Sequence, residues 1–459
     1  MSRSAATHRP ILTGPAVLAA LALVAAAAVA VLLQTSAVGQ VGPGSHDARP
    51  AGSTGIQAGS GSAVQAAAGS PRRSGLQALE EHTRALPQDP QGWTALGLAE
   101  LELGRATGDP AHYNAAGDAF DTALRVRPDT ASALAGQAAL ADARHDFTQG
   151  LDRALRALAL NPSSPEALAA QTDALTELGR YDQALAAARR LDTIRPGLTS
   201  FSRLSYQAEL RGDIPRALTL MRQAADEARS PEQVAFARSH EGLIALGAGD
   251  RAGAQAALRS GLLAAAQDPA LLFLRAKVAW AAGEREQAAD ALAELVTRRP
   301  TLTYATAQAE VLGALGRPAE AARALTLARA AARLASGAGV APEGVDVLAE
   351  VDHGDPQRAL TLAEGLWSRT RSVGAADSYA WALHAAGRDR EARSFADRAL
   401  ALGGHPSLTR YHRGVILAAL GQRAAAVQDL RAALRQDPTF SALHAPRAEQ
   451  LLRSLGGAR

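Results

Sequence analysis

The spacing of apolar residues along most of this chain is that of an amphipathic α-helix. In residues 151–160 and 257–266, Leu and Ala recur every three or four positions, which places them on one face of a helix. No window shows the sustained alternation of Val, Ile or Thr with polar residues that predicts a β-strand. The pattern therefore predicts an all-α protein.

A short block of sequence recurs eight times along the chain. Each copy opens with Gly and carries Ala five residues later, as in Gly179 with Ala184 and Gly283 with Ala288. Successive copies lie roughly 33 to 38 residues apart, and a period of this size indicates stacked repeats in place of one compact domain. The repeated glycines are Gly179, Gly212, Gly249, Gly283, Gly316, Gly354, Gly387 and Gly421. We therefore expect a solenoid of about ten helix pairs.

Each residue type in the block has a physical role. Gly ends a first helix, because it takes a left-handed conformation without a Cβ clash, and the small Ala lets the second helix approach closely. Pro128, Pro162 and Pro196, which are evenly spaced along the chain, end second helices. Each unit is thus predicted to be a helix–turn–helix.

These features resemble the tetratricopeptide repeat (TPR) family, whose pattern is Trp-x2-Leu-Gly, then Ala-x3-Phe, then Pro. The resemblance covers roughly residues 75 to 440. The matching residues are Trp93, Leu96, Gly97, Ala116, Phe120, Ala123 and Pro128. It implies an α-solenoid of stacked helix–turn–helix repeats whose first helices line a concave face.

Residues 11–34 form an apolar stretch without a charged residue. At about 1.5 Å per residue, a helix of this length spans roughly 35 Å, enough to cross a bilayer. We predict a transmembrane anchor here. The alternative is a signal sequence, with residues 37–39 as the cleavage site, which would release a secreted protein. Apolar regions of signal peptides usually run only about 7 to 15 residues, which favours the anchor.

The flanking residues predict the orientation. Arg3 and Arg9 make residues 1–10 a basic cytoplasmic stub, so everything after residue 34 is expected on the extracytoplasmic side. Residues 35–74 are rich in Gly, Ser and Ala and lack apolar periodicity, which predicts a flexible linker. The repeat array is then expected to cover residues 75–455.

Composition and charge narrow the possible partners. Hydrophobic residues make up 47% of the chain but aromatic residues only 4%, so the core must consist mostly of Ala and Leu. The net charge is only +3 and no long basic run occurs, so nucleic acid is not expected as a partner. Lys277 is the only lysine, a bias typical of a GC-rich bacterial genome. The absence of cysteine excludes a cysteine-linked lipid anchor.

Catalytic and metal-binding motifs are weak. The chain has no His-Glu-x-x-His sequence and no Gly-rich loop ending in Gly-Lys-Ser/Thr. Two clusters come nearest to a metal site, and they comprise Glu350, Asp352, His353 and Asp355 at one turn and His405 with His412 near another. Helix capping and turn polarity account for both clusters. We therefore expect no enzyme, no metal and no cofactor.

A binding surface is better supported. Positions three, six or ten residues before the Gly that ends a first helix are expected on the concave face that the TPR resemblance implies. This projection selects Tyr206, Phe273, Lys277, Trp280, Trp381, His384 and Tyr411. The alternative is that these aromatic residues pack as core between neighbouring repeats. TPR proteins that clamp a C-terminal carboxylate use Lys and Asn on this face, and since only Lys277 is present, that ligand is not expected.

The sequence thus predicts a membrane-tethered, extracytoplasmic TPR scaffold that binds a protein or peptide partner. One alternative is a factor for envelope assembly or cytochrome maturation, because residues 79–97 look like the start of the repeats in membrane-anchored cytochrome c assembly factors. The other is an enzyme that uses a metal site around Asp352 and His353.

Overall fold

The computed structural model describes residues 70–456 except residues 108, 110 and 338. These residues form 22 α-helices and no β-strand, which confirms the all-α prediction. The stub and the expected anchor at residues 11–34 lie outside the described residues. Within the described part, no helix combines the length and the apolarity needed to cross a membrane.

The helices follow one another with short connections. The first eleven are α1 (Ser70–Ala85), α2 (Pro90–Thr107), α3 (Ala111–Val126), α4 (Ala131–Ala143), α5 (Phe147–Leu160), α6 (Pro165–Glu177), α7 (Tyr181–Ile194), α8 (Leu198–Leu210), α9 (Ile214–Asp226), α10 (Pro231–Gly247) and α11 (Arg251–Ala264). The other eleven are α12 (Pro269–Ala282), α13 (Arg285–Arg298), α14 (Leu302–Ala314), α15 (Pro318–Gly337), α16 (Gly344–His353), α17 (Pro356–Arg369), α18 (Val373–Ala385), α19 (Asp389–Ala399), α20 (Ser407–Ala419), α21 (Arg423–Gln436) and α22 (His444–Ser454).

Helices α2 to α21 form ten consecutive pairs, from α2 with α3 to α20 with α21. In nine of these pairs each helix packs most closely on its pair partner, whereas in the pair of α16 with α17 both helices pack about as closely on α18 as on each other. Helices α1 and α22 cover the two ends of the stack. Helix α1 begins at Ser70, inside the stretch that the sequence assigned to the linker. The expected solenoid of about ten helix–turn–helix units is the observed architecture.

The repeated Gly and Ala have the roles that the sequence predicts. At seven of the eight glycines φ is positive, between 72° and 86°, so each takes the left-handed conformation that ends a first helix. Behind Gly179, for example, Arg180 N donates to Leu175 O at 2.8 Å. Seven of the eight alanines are completely buried between the paired helices, and Ala321 is partly buried.

Gly354 is the exception among the repeated glycines. Its φ is −130°, and Asp355 N donates to Oε1 of Glu350 at 3.3 Å. A Cβ at Gly354 would lie 2.4 Å from the carboxyl carbon of Glu350. The carboxylate of Glu350 thus occupies the space beside this turn, and the chain leaves α16 in an extended conformation.

The two longer repeat intervals correspond to longer helices. Helix α10 has 17 residues, whereas the preceding first helix, α8, has 13. Helix α15 has 20 residues, whereas the preceding second helix, α13, has 14. In α10 the increase is about one helical turn, which lengthens the helix without changing which face meets the neighbouring repeat.

The array coils so tightly that helix joints far apart in sequence contact one another. The backbone N of Arg371 donates to Glu177 O at 2.8 Å. Further bonds of this kind are Arg299 Nη2 to Arg105 O (2.7 Å), Val373 N to the Tyr181 hydroxyl (2.7 Å), Gly404 N to Leu210 O (2.9 Å) and Gln436 Nε2 to Gly247 O (2.8 Å). Their partners are 189 to 194 residues apart, so one superhelical turn takes about 190 residues. We call this line of contact the inter-turn seam.

Three of the repeated glycines allow the close approach at the inter-turn seam. A Cβ at Gly179 would lie 2.6 Å from Arg371 O, and one at Gly249 would lie 2.5 Å from Gln436 O. Gly212 is in the same situation against Gly403 O, at 2.6 Å. By contrast, a Cβ at Gly316 would meet nothing within 4 Å. The repeated glycines therefore lie at the helix joints along the whole array. Those that also allow contact between superhelical turns, Gly179, Gly212 and Gly249, lie in its first half.

Gly179→Ala and Gly316→Ala separate these two roles. Both glycines have a φ of +72°, so each substitution costs about 1 to 2 kcal/mol of left-handed strain. Only Gly179→Ala also pushes the backbone of Arg371 away. We expect it to lower the free energy of unfolding, measured by denaturant titration, by more than Gly316→Ala does, and to increase the radius of gyration measured by X-ray scattering. Equal losses and an unchanged radius would contradict the inter-turn seam.

Candidate functional site

The seven residues projected onto the concave face all lie on first helices of their pairs. Tyr206 is on α8, Phe273, Lys277 and Trp280 are on α12, Trp381 and His384 are on α18, and Tyr411 is on α20. Tyr206, Lys277 and His384 are partly exposed. The other four are buried, and only 1, 8, 7 and 4% of the surface is exposed for Phe273, Trp280, Trp381 and Tyr411. Contact of this row with a partner stays a prediction.

On α12 the aromatic residues belong to a hydrophobic core shared with α13 and α14. The ring of Phe273 lies 5.3 Å from that of Tyr304, centroid to centroid. The guanidinium of Arg285 lies over the indole of Trp280 at 3.7 Å, a cation–π distance. Lys277, between the two aromatic residues in sequence, is the residue of this group that solvent reaches.

On α18, Trp381 is the centre of a second aromatic group. Its indole stacks on His412 at 4.3 Å with an interplanar angle of 16°, and on His384 at 5.0 Å with an angle of 24°. Tyr411 lies 5.9 Å away. The indole Nε1 donates to Asp352 Oδ1 at 2.9 Å, which satisfies the polar atom of a buried tryptophan. The structure therefore brings Trp381, His384 and Tyr411 together and leaves Tyr206 apart from them.

Ionisable groups lie beneath these rings. His444 and Asp352 are both buried, with Nε2 and Oδ2 3.8 Å apart. Burial lowers the pKa of His444 and lowers that of His353 to about 4. Burial, reinforced by the negative charge of Asp352, raises the pKa of Glu310. This part of the inner face therefore disfavours charge.

The first helices α6 and α8 carry buried acidic groups. Asp173 and Arg203 form a buried ion pair at 2.5 Å. Burial raises the pKa of Glu177 and of Glu209 to about 7. Burial and the charges of these two carboxylates also raise the pKa of Tyr206. Tyr206 thus lies in an acidic region, whereas the other six candidates lie in aromatic ones.

The alternative metal site does not assemble in the structure. Asp352 bonds to Trp381, whereas Asp355 accepts from Arg358 N and caps α17. His412 is completely buried and its Nδ1 lies 3.1 Å from Asp377 Oδ1, while His405 is exposed. No group of three His, Asp or Glu residues in the described part of the chain could hold a metal ion.

His145 is a residue of interest that the sequence reasoning missed. It stands where the second pair, α4 with α5, would carry the repeated Gly, and its φ is +61°, the one positive value of a non-glycine residue among those described. Its Nδ1 lies 2.8 Å from Ala341 O and its Nε2 lies 2.5 Å from Glu343 Oε1, both across the inter-turn seam. The sequence did carry a signal for it, because His145 lies one repeat period before Gly179.

The charge of His145 depends on that contact. Burial disfavours the protonated ring, but the negative charge of Glu343 and its hydrogen bond outweigh burial and raise the pKa of His145 to about 9. A strained backbone persists only where the surroundings hold it in place, and here the partners belong to the next superhelical turn. His145 therefore joins the two turns electrostatically.

The comparison with protein families agrees with the repeat architecture. A family model described as tetratricopeptide repeat matches residues 409–440, which include most of α20 and all of α21. This match covers one helix pair of the array and supports a TPR-like repeat there. No curated protein matches the chain.

Three solved structures resemble the chain at low sequence identity. The Cut9–Hcn1 hetero-tetramer of the APC/C is 13% identical, with 85% of this chain and 94% of that chain covered and a TM-score of 0.37. A tetratricopeptide repeat protein from Parabacteroides merdae is 18% identical, with coverage of 50% and 86% and a TM-score of 0.38. PilF of Pseudomonas aeruginosa is 19% identical, with coverage of 48% and 97% and a TM-score of 0.35.

The His145 contact predicts a pH dependence. Because the pKa of His145 in the folded protein, about 9, lies above its ordinary value of 6.5, the contact stabilises the fold fully below about pH 6.5 and is lost as the pH rises through 9. His145→Asn keeps a residue that tolerates left-handed backbone but removes the charge. We expect the difference in free energy of unfolding between the two proteins to be largest near pH 6 and to shrink towards pH 10. A difference that is constant with pH would contradict this role.

Proposed function

We propose that this protein is a membrane-tethered, extracytoplasmic TPR scaffold that binds a protein or peptide partner along the inner face of its superhelix. In this proposal it catalyses no reaction and needs no cofactor. TPR-type arrays are typical of protein–protein interaction, because stacked repeats present an extended surface in place of a deep pocket.

The unbroken series of first helices along the array is the observation that carries the proposal. Ten first helices follow one another along the array, and three of the candidate residues on them are partly exposed. Lys277 and His384 lie beside buried aromatic rings, and Tyr206 lies in an acidic region. Tyrosine and tryptophan supported by packed neighbours are the residues that most often dominate binding energy at interfaces. Since the inter-turn seam draws successive turns together, an extended segment of a partner suits this face better than a folded domain.

The proposal of a membrane tether is based on the sequence of residues outside the described part of the chain. Residues 11–34 are long and apolar enough to span a bilayer, and Arg3 and Arg9 favour a cytoplasmic N-terminus. The Gly- and Ser-rich residues that follow give the repeat array reach from the membrane. Secretion after cleavage of a signal sequence remains the alternative for the same residues.

Site-specific photo-crosslinking in the host membrane tests the binding surface. A photoreactive phenylalanine analogue is placed at Tyr206, Lys277 or His384, one position at a time, in the full-length protein. Arg259, which is exposed on the second helix α11, serves as the control position. We expect crosslinked products of discrete mass from the inner positions and not from Arg259. Products from Arg259 alone would place partner binding on another face.

Topology is tested by a reporter fused after Arg459. Alkaline phosphatase is active only outside the cytoplasm, so we expect an active fusion. Replacing Leu21 and Val24 together by Arg puts two charges into the apolar stretch and should remove the protein from the membrane fraction. An inactive fusion that is folded and stably produced would contradict the extracytoplasmic location.

A further inference from the structure

Three aromatic side chains form a cluster that none of the interactions above uses. The ring of Trp367 meets that of Phe395 edge to face, with centroids 5.1 Å apart at 86°. Tyr379 lies 4.5 Å from Phe395 and 6.3 Å from Trp367. All three are partly exposed, in a chain with only 4% aromatic residues. We call Trp367, Tyr379 and Phe395 the outer aromatic patch.

The outer aromatic patch faces away from the candidate residues of the expected concave face, Trp381 and His384. Helix α18 carries Tyr379 as well as Trp381 and His384. At about 100° per residue, Tyr379 lies roughly 140 to 160° around the helix from these two residues. The patch is therefore a second surface, separate from the inner face on which the proposed function rests.

Two arginines lie over the partly exposed indole of this patch. The guanidinium carbons of Arg371 and Arg398 lie 4.7 and 5.3 Å from the ring centroid of Trp367, and both side chains are exposed. Neither guanidinium forms an ion pair with a carboxylate of the described residues, and the hydrogen bond that Arg371 donates from Nη1 goes to the carbonyl of Thr370.

The nearby acidic side chains are already paired. Glu391 and Glu364, which lie beside Tyr379, bind Arg388 at 2.6 and 3.8 Å. Among the described residues, the positive charges of Arg371 and Arg398 are thus left without a counter-charge at the surface. Both guanidiniums lie over the same ring of Trp367. The distance between their Cζ atoms therefore cannot exceed the sum of the two Cζ-to-centroid distances.

The inter-turn seam holds one of these arginines in place. The backbone N of Arg371 bonds to Glu177 O at 2.8 Å, and the next residue, Ser372, caps α18 by accepting from Ala375 N at 3.2 Å. A binding residue on a fixed backbone loses less conformational freedom when a partner docks.

We propose that the outer aromatic patch, with Arg371 and Arg398, is a docking surface for an acidic segment of a protein partner. Two guanidiniums donate to carboxylates, and carboxylates on alternate residues of an extended chain lie roughly 7 Å apart, which is below the upper limit that the two ring distances set for the separation of these guanidiniums. The rings of Trp367 and Phe395 pack against the apolar atoms of the same segment. Tryptophan, tyrosine and arginine together are the residue types enriched at the energetic centres of interfaces.

A fluorescence anisotropy titration of the full-length protein in detergent tests this proposal. The probe is a fluorescein-labelled ten-residue peptide of alternating Glu and Ala, and the comparison peptide replaces Glu by Lys. We expect the Glu peptide to bind and the Lys peptide not to. Arg371→Glu and Arg398→Glu should each weaken binding about tenfold.

The matched control is Arg259→Glu, which makes the same change of charge at an exposed position on α11. We expect it to leave the affinity unchanged. Weakening by Arg259→Glu as large as that by Arg398→Glu would mean general attraction to a basic surface and would overturn the site. The acidic protein segment would be overturned as the partner if the unmodified protein did not bind the Glu peptide. Tighter binding of a ten-nucleotide oligothymidylate at the same two arginines would also overturn it.

Discussion

The close approach of two helices at each joint is the constraint on which the rest of this structure depends. A completely buried alanine, as at Ala184 or Ala288, lets the second helix lie against the first, and a left-handed glycine turns the chain between them. Since nearly identical joints follow one another, each pair is rotated from the last by a similar amount, and the rotations accumulate into a superhelix. Its turn of about 190 residues is short enough for successive turns to touch.

Packing between neighbouring repeats sets the character of the first helices. The rings of Phe273 and Trp381 are buried by packing between neighbouring repeats. The same enclosure raises the pKa of Glu177 and of Glu209 to about 7 and lowers that of His353 to about 4, because low polarity disfavours the charged forms. Of the seven candidate residues, Tyr206, Lys277 and His384 are the ones that solvent partly reaches.

The inter-turn seam also connects the two surfaces that we propose for binding. Arg371 takes part in the seam through its backbone and in the outer aromatic patch through its guanidinium. His145 and Glu343 tie the same two turns together by charge. Loosening the seam would therefore change the position of Arg371 within the outer aromatic patch.

The sequence by itself determined the helices, their pairing and their joints, because these depend on residues less than one repeat apart. The Gly and Ala at a fixed interval, and the absence of strand patterns, were sufficient to predict a TPR-like solenoid and to place the seven candidate residues on first helices. Gly354 departs from the pattern in that its φ is −130° and the carboxylate of Glu350 lies beside its turn. Only the tertiary structure decided which joints touch across about 190 residues and which aromatic rings became core. It also decided that the ring of Trp367 stayed near solvent, under two arginines. The physical reason is that the rotation from each repeat to the next accumulates along the array. Summed over about five to six repeats, this rotation sets the contacts between turns, and no local sequence pattern specifies it closely enough.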